Sequence, residues 1–372
     1  MSATSRPSVP LAGGCGTPPS RSYDVALLDL DGVVYVGADA VPGVPAALAS
    51  ARTDGMRLGF VTNNAARTPE DVATHLTELE VAAAPEDVIT SSQAAATVVA
   101  GLLGPGGRVL PVGGPGVAAA LRAAGLTVVL SADDRPDAVV QGYGTEVGWA
   151  QLAEAVVAVR NGARHVATNA DATIPSPRGP LPGNGAMVAV VRGVTGRLPL
   201  VTGKPDPAMH AECVRRTGAR SPLVVGDRLD TDIEGARRAG AASLLVLSGV
   251  TDPVTLLAAE PVRRPDLLAP DAVGLLVPHP PVTAAGAAWT CGGWAVRRAE
   301  GGTALELASP AASAPGTEGS APGSSDGLDG LRALCVAHWA GNPDDGVPAR
   351  VLAADDAAHA VLAGWGLGAD RA

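Results

Sequence analysis

The stretch Val25-Ala26-Leu27-Leu28-Asp29-Leu30-Asp31-Gly32-Val33-Val34 governs the reading of the whole chain. Four consecutive apolar residues fit a strand covered on both faces, as in a parallel sheet. The run then ends in acid. In sheets of this class, functional groups gather just past the C-terminal ends of strands. Two aspartates spaced two apart can both reach one site there, and Gly32 lets the chain turn sharply beside a ligand. Such a pair suits a divalent metal and a division of labour between nucleophile and acid/base. Taken alone, the pattern also fits a polar strand-to-loop turn.

Outward from this stretch, short apolar runs alternate with helical patterns, the rhythm of an α/β fold. A helix is expected over Val44 to Ala51, then a strand over Arg57 to Val61 ending at Thr62-Asn63-Asn64. Thr68 and Pro69 open a helix that runs to Leu79. From Ser91 a second unit begins, with strands at Arg108 to Val112, Thr127 to Leu130, Ala138 to Gln141 and His165 to Thr168. Leu198 to Val201 is read as a return to the first sheet. Strands at Pro222 to Val225 and Ser243 to Leu247 follow, with helices at Asp206 to Thr217 and Asp232 to Ala239.

A Pro/His string, Pro278 to Pro281, marks a boundary. The tail beyond it carries strands at Gly293 to Arg298, Ala304 to Ala308 and Ala349 to Ala353, and helices at Leu328 to Trp339 and Asp356 to Ala363. The expected architecture is a Rossmann-like parallel-sheet core formed by residues 22–91 and 198–278, with an inserted α/β domain at 92–197. A small C-terminal α/β domain at 282–372 follows, with a Ser/Gly/Pro-rich loop at 310–325 expected to be mobile. Residues 1–21 lack the apolar centre of a signal peptide and are expected to form a disordered leader.

Composition narrows the function. The 372 residues carry a net charge of −10, which argues against nucleic acid as a partner. No apolar run long enough to span a bilayer is free of Gly, Pro or charge. The four cysteines form no C-x-x-C pair, so free thiols in a reducing cytoplasm are expected. Aromatics are only 2%, so Val, Leu, Ile and Ala must build the cores.

Two further strings carry chemistry. Val225-Gly226-Asp227-Arg228-Leu229-Asp230-Thr231-Asp232 is a second apolar run ending in acid. Three carboxylates so close repel unless a cation offsets them. Thr202-Gly203-Lys204-Pro205-Asp206-Pro207 holds the chain's only lysine, every other one of the 27 basic residues being arginine. An ammonium is a compact point charge where a guanidinium is a planar fork, and a tight anionic site suits the former. Two other candidates are weaker. Val112-Gly113-Gly114-Pro115-Gly116 precedes a helix but lacks the Lys-Ser/Thr of a phosphate-binding loop, so a plain turn is expected. The six histidines are scattered, and surface or helix-end roles are the default for them.

In this order, D-x-D-G-V, Thr62-Asn63, the lone lysine before a helix and G-D-x-x-x-x-D resemble the haloacid dehalogenase superfamily of phosphohydrolases, from Tyr23 to about Leu276. The long insertion between Asn63 and Lys204 resembles the subfamily with a large α/β cap after the second motif. That group includes phosphatases for phosphoglycolate, pyridoxal phosphate and nitrophenyl phosphate. Thr168-Asn169-Ala170-Asp171-Ala172-Thr173 and Leu181-Pro182-Gly183-Asn184-Gly185-Ala186 also resemble that cap, although Pro is commoner in the family at the position of Ala170.

The resemblance implies roles. Asp29 would be the nucleophile that becomes an aspartyl-phosphate, and Asp31 the acid and then the base. The Thr62 side chain and the Asn63 backbone N–H would bind phosphoryl oxygens, and Lys204 would offset their charge. Mg²⁺ would be held by Asp29, the Asp31 carbonyl and Asp227, with Asp232 close behind.

The capped core followed by a small α/β tail is similar to an actinobacterial type of glycerol 3-phosphate phosphatase with a fused region related to the GCN5-type N-acetyltransferases. This implies a small phosphorylated metabolite as substrate, with glycerol 3-phosphate first. Phosphoglycolate, pyridoxal phosphate or a nucleotide are the alternatives. The tail lacks the Gln/Arg-x-x-Gly-x-Gly/Ala string that holds the coenzyme A pyrophosphate. It is therefore expected to be degenerate as an acetyltransferase, and to serve docking, sensing or homo-oligomer formation rather than acetyl transfer.

Overall fold

The computed structural model describes residues 9–174, 176, 178–299, 304–310, 326–342, 344–368 and 370–371. The chain divides into two compact units: residues up to Leu58 together with those from Ser221 onward, and Gly59–Arg220. It passes from the first to the second within the strand Arg57–Thr62.

The first unit holds four parallel strands in the order Leu267–Ala269, Ala242–Val246, Pro222–Gly226 and Val25–Leu28. Val25 to Leu28 are all buried, as the apolar run requires. Next along the chain is a second sheet. Strands Thr283–Ala285, Ala288–Cys291, Trp294–Arg298 and Ala304–Ala308 pair antiparallel in sequence; Arg350–Ala353 and Asp370–Arg371 then add in parallel. The strands at Thr283–Ala285 and Ala288–Cys291 were not anticipated from their Ala/Thr-rich sequence. The helix Asp329–Gly341 buries eleven consecutive residues, Asp329 to Trp339.

One apolar cluster runs through this unit, from Leu245, Leu256 and Leu268 to Leu331, Leu334 and Trp339. The tail, which carries this second sheet of its own, shares an apolar core with the first sheet. Polar contacts reinforce the seam. Trp339 Nε1 donates to the Leu257 carbonyl at 3.1 Å, and the Arg264 guanidinium lies 5.4 Å over the Trp339 ring while donating to the carbonyls of Asn342 and Asp345.

The expected disordered leader is corrected for residues 9–21. Leu11 is buried in the shared cluster, Pro19–Ser22 forms a helical turn, and Cys15 pairs through its backbone with buried His279. The Pro/His string is therefore packed rather than a linker. Of the expected loop at 310–325, residues 311–325 lie outside the described residues.

The second unit has a five-stranded parallel sheet in the order Leu200–Val201, Arg164–Ala167, Ala138–Gln141, Arg108–Val112, Thr127–Val128. One apolar cluster covers one group of its residues from helices Ser91–Leu103 and Pro115–Ala123, and another forms with Trp149–Arg160 and Asn184–Thr195. Leu200–Val201 was expected in the first sheet; it pairs instead with Val166 and Ala167. Residues 59–91 and 198–220 likewise group with the second unit rather than with the first. Among the described residues, no helix is long and apolar enough to cross a membrane. All four cysteines are free thiols.

Candidate active site and metal centre

Val25–Leu28 and Pro222–Gly226 are neighbours and parallel, with Leu28 opposite Val225. Both therefore end at the same edge, and the residues that follow them are brought side by side. Asp29 fixes this register by donating its backbone N–H to the Val225 carbonyl at 2.8 Å. Asp232 comes to the same place by folding back over Gly226. A Cβ on Gly226 would lie 2.2 Å from the Asp232 Cβ, so only glycine fits there. The backbone closes this turn: Asp232 N–H donates to the Arg228 carbonyl at 3.1 Å, and Arg228 N–H returns a bond to Asp232 Oδ2 at 3.2 Å.

The result is a cluster of Asp29, Asp227 and Asp232, with one ligand atom from each inside a mutual distance of 4.8 Å. Asp227 and Asp232 are buried, at 1% and 2% exposure. Opposite ligands of a Mg²⁺ ion lie about 4.2 Å apart, so this all-oxygen donor set fits a small hard cation after slight side-chain adjustment. Asp31 is more exposed, on the turn that Gly32 makes at φ +85°. Partial burial and the charge of Asp29 raise its carboxyl above the ordinary aspartate value.

A loop that sequence reasoning missed holds these pieces. Val250 N–H donates to Asp227 Oδ2 at 2.7 Å, Thr251 N–H to the Asp227 carbonyl at 3.2 Å, and Ser248 Oγ to the Gly32 carbonyl at 2.6 Å. The available signal was the string Ser248-Gly249-Val250-Thr251 directly after a buried strand.

The second unit holds the other predicted residues. Thr62 is buried, and its Oγ1 accepts from Asn64 N–H at 3.0 Å. The Asn63 side chain clasps the lysine backbone: its Oδ1 accepts from Lys204 N–H at 2.9 Å and its Nδ2 donates to the Lys204 carbonyl at 3.2 Å. Lys204 is half-buried, and its Nζ donates to the Val61 carbonyl at 3.4 Å. Asn169 Nδ2 donates to the Asn63 carbonyl at 2.7 Å, and Asn63 Nδ2 also reaches Asp171 Oδ2 at 3.3 Å. The cap-like string therefore braces the Thr62-Asn63 motif.

The Gly113–Gly116 turn is structural, as expected. Gly116 N–H donates to the Ala66 carbonyl, and a Cβ at Gly116 would lie 2.3 Å from the Arg67 carbonyl oxygen.

Known proteins resemble this chain in sequence and fold. Residues 26–127 match the haloacid dehalogenase-like hydrolase family model, and residues 201–275 match a second hydrolase model of the same kind. A D-glycerol 3-phosphate phosphatase of Mycobacterium tuberculosis is 44% identical over 358 residues, covering 94% of this chain and 95% of the relative. This chain belongs to the haloacid dehalogenase-like hydrolases. It is an enzyme of that family. Residues 291–367 match a GCN5-related N-acetyltransferase-like domain. An acid sugar phosphatase of Staphylococcus aureus is 39% identical over 233 residues, which are 62% of this chain and 89% of that protein. The crystal structure of a glycerol phosphate phosphatase of M. tuberculosis with magnesium has a TM-score of 0.82 and 42% identity, covering 95% of this chain and 99% of that one. The same enzyme with calcium gives 0.83.

Proposed function

We propose that this protein is a Mg²⁺-dependent phosphomonoester hydrolase that works through an aspartyl-phosphate on Asp29, with glycerol 3-phosphate as its substrate. The observation that carries the reading is the Asp29–Asp227–Asp232 cluster at the ends of two adjacent parallel strands. An Asp29 oxygen attacks phosphorus while the bond to the leaving alcohol breaks, and Asp31 gives that alcohol its proton. Asp31 then takes a proton from the water that attacks the phosphorus, and Asp29 is released with inorganic phosphate. A divalent cation held by Asp29, the Asp31 carbonyl, Asp227 and Asp232 would offset the charge of two anions that must approach. Thr62, the Asn63 N–H and Lys204 take the phosphoryl oxygens; these roles rest on their motif positions.

The choice of glycerol 3-phosphate rests on the M. tuberculosis relative, matched along 94% of this chain. Phosphoglycolate, pyridoxal phosphate or a nucleotide are the alternatives. Phosphate release measured over a panel of phosphomonoesters with Mg²⁺ tests the choice: glycerol 3-phosphate should give the highest kcat/KM, and another ester ranking first would replace it. Action on a small phosphorylated metabolite fits the cytoplasm.

Acetyl transfer by the tail is disfavoured on a specific observation. The start of helix Asp329–Gly341, which would face a pyrophosphate, carries the carboxylates of Asp326 and Asp329 on buried Arg332. We read the tail as a brace for the shared core.

A further inference from the structure

We infer that the loop Ser248-Gly249-Val250 is a clamp that sets the geometry of the metal-binding carboxylates, with Ser248 as a positioning residue. The inference deepens the proposed function and rests on it for the identity of the cation. The loop follows the strand Ala242–Val246, whose neighbour Pro222–Gly226 delivers Asp227. It grips two separate motifs at once. Toward Asp227 it supplies the Val250 N–H to the carboxylate and the Thr251 N–H to the carbonyl, fixing both ends of that residue. Toward the nucleophile loop it supplies the Ser248 hydroxyl to the Gly32 carbonyl at 2.6 Å, across 216 residues of sequence.

Gly32 and Gly249 close on the Asp227 carboxylate. A Cβ on Gly249 would lie 2.1 Å from Asp227 Oδ2, and one on Gly32 would lie 2.5 Å from the same atom. Either methyl group would force the carboxylate to move. The Gly32 Cβ position is also only 3.0 Å from the Gly249 backbone, so the two turns are packed against each other. Ser248 supplies a side-chain hydrogen bond to this junction from the third loop. Without it, the Gly32–Val33 peptide has no hydroxyl to fix its rotation, and the turn that carries Asp31 loosens relative to Asp227. Groups that orient metal ligands from behind typically change metal affinity or activity 10–100-fold when removed.

The test is a calorimetric titration of substrate-free full-length protein with MgCl₂, alongside thermal unfolding in metal-free buffer. Ser248→Ala should weaken Mg²⁺ about 10-fold or more. Ser248→Thr keeps the hydroxyl and should bind within a few-fold of wild type. Gly249→Ala should weaken Mg²⁺ as well, because its methyl group meets Asp227. Ser248→Ala and Ser248→Thr should unfold near the wild-type temperature without metal. Unchanged Mg²⁺ affinity in Ser248→Ala would overturn the clamp. So would equal losses in Ser248→Ala and Ser248→Thr, or a drop in metal-free stability large enough to explain the weaker binding. Phosphate release keeps the two proposals apart. A wild type that binds Mg²⁺ but hydrolyses no ester breaks the proposed function and leaves the clamp standing. An active wild type whose Ser248→Ala form binds Mg²⁺ normally does the reverse.

Discussion

Two groups of carboxylates lie in the same unit of this protein and are held in different ways. Asp326 and Asp329 meet the guanidinium of Arg332, which is 1% exposed; its Nη1 donates to Asp326 at 2.8 Å and to Asp329 at 2.9 Å, and its Nη2 reaches the Leu268 carbonyl. Burial works against charge on Asp326, but the bonds and charge of Arg332 outweigh it and hold that carboxyl below its ordinary value. Asp29, Asp227 and Asp232 are instead drawn together within 4.8 Å and gripped from behind by the backbone N–H groups of Val250 and Arg228. The first group is held by a side-chain cation; the second is gathered by backbone donors, and under the proposed function it takes a divalent cation.

The contrast breaks most visibly at the Asp29–Asp227–Asp232 cluster. Removing divalent cations with a chelator should abolish phosphate release, and Mg²⁺ should restore it. Ca²⁺ should inhibit, because it prefers more ligands at longer distances. Full activity in excess chelator would contradict the reading of that cluster.

Lys204 sharpens the point that shape matters as well as charge. Lys204→Arg should lower kcat/KM by ~10²–10³, or about 3–4 kcal/mol, since a planar fork cannot take the place of an ammonium aimed at a transferring phosphoryl group. A change below about 0.5 kcal/mol is what an inconsequential surface site would give. Steady-state kinetics on this one variant decides between them.

At the Arg332 cluster the loss should fall on stability. Arg332→Met leaves buried Asp329 and half-buried Asp326 without their guanidinium and should cost about 3–5 kcal/mol in urea unfolding. The same variant, where folded, should bind Mg²⁺ as wild type does. Weakened Mg²⁺ binding without loss of stability would reverse the roles of the two clusters.

A smaller effect should come from a buried group with no opposite charge. His165 Nε2 bonds to Gln141 Oε1 at 2.9 Å inside the second unit. Burial lowers its pKa from 6.5 to about 4. The folded state therefore favours the neutral ring, and the unfolded chain binds the extra proton first. Stability from this source is full above pH 6.5 and falls as pH drops toward 4, by roughly 3 kcal/mol in all. His165→Gln should flatten that slope in unfolding curves between those pH values; an unchanged slope would assign it elsewhere.

Much of the candidate site was legible because its logic is local. An apolar run that ends in acid, twice, places acids at one edge whenever the two strands are adjacent and parallel. Gly226 is required by the return of Asp232, six residues on, and the lone lysine was visible in composition. What escaped has distant causes. Ser248 finds its partner 216 residues away. Residues 9–21 are Ser/Pro/Gly-rich and look unstructured, but Cys15 is held by His279 and Leu11 by the shared core. Leu200–Val201 is two residues long, and its apolar pattern suits either sheet. The tail's helix is buried over eleven consecutive residues by its contact with the first sheet's core, which no pattern within the tail foretells.

Asp29 bears the central claim. In Asp29→Asn the neutral amide neither attacks phosphorus nor serves well as a metal ligand, while the fold should persist. Phosphate release from glycerol 3-phosphate by this variant should fall below about a hundredth of the wild-type rate, with unfolding by heat little changed. Turnover above that level in a properly folded Asp29→Asn protein would contradict the account.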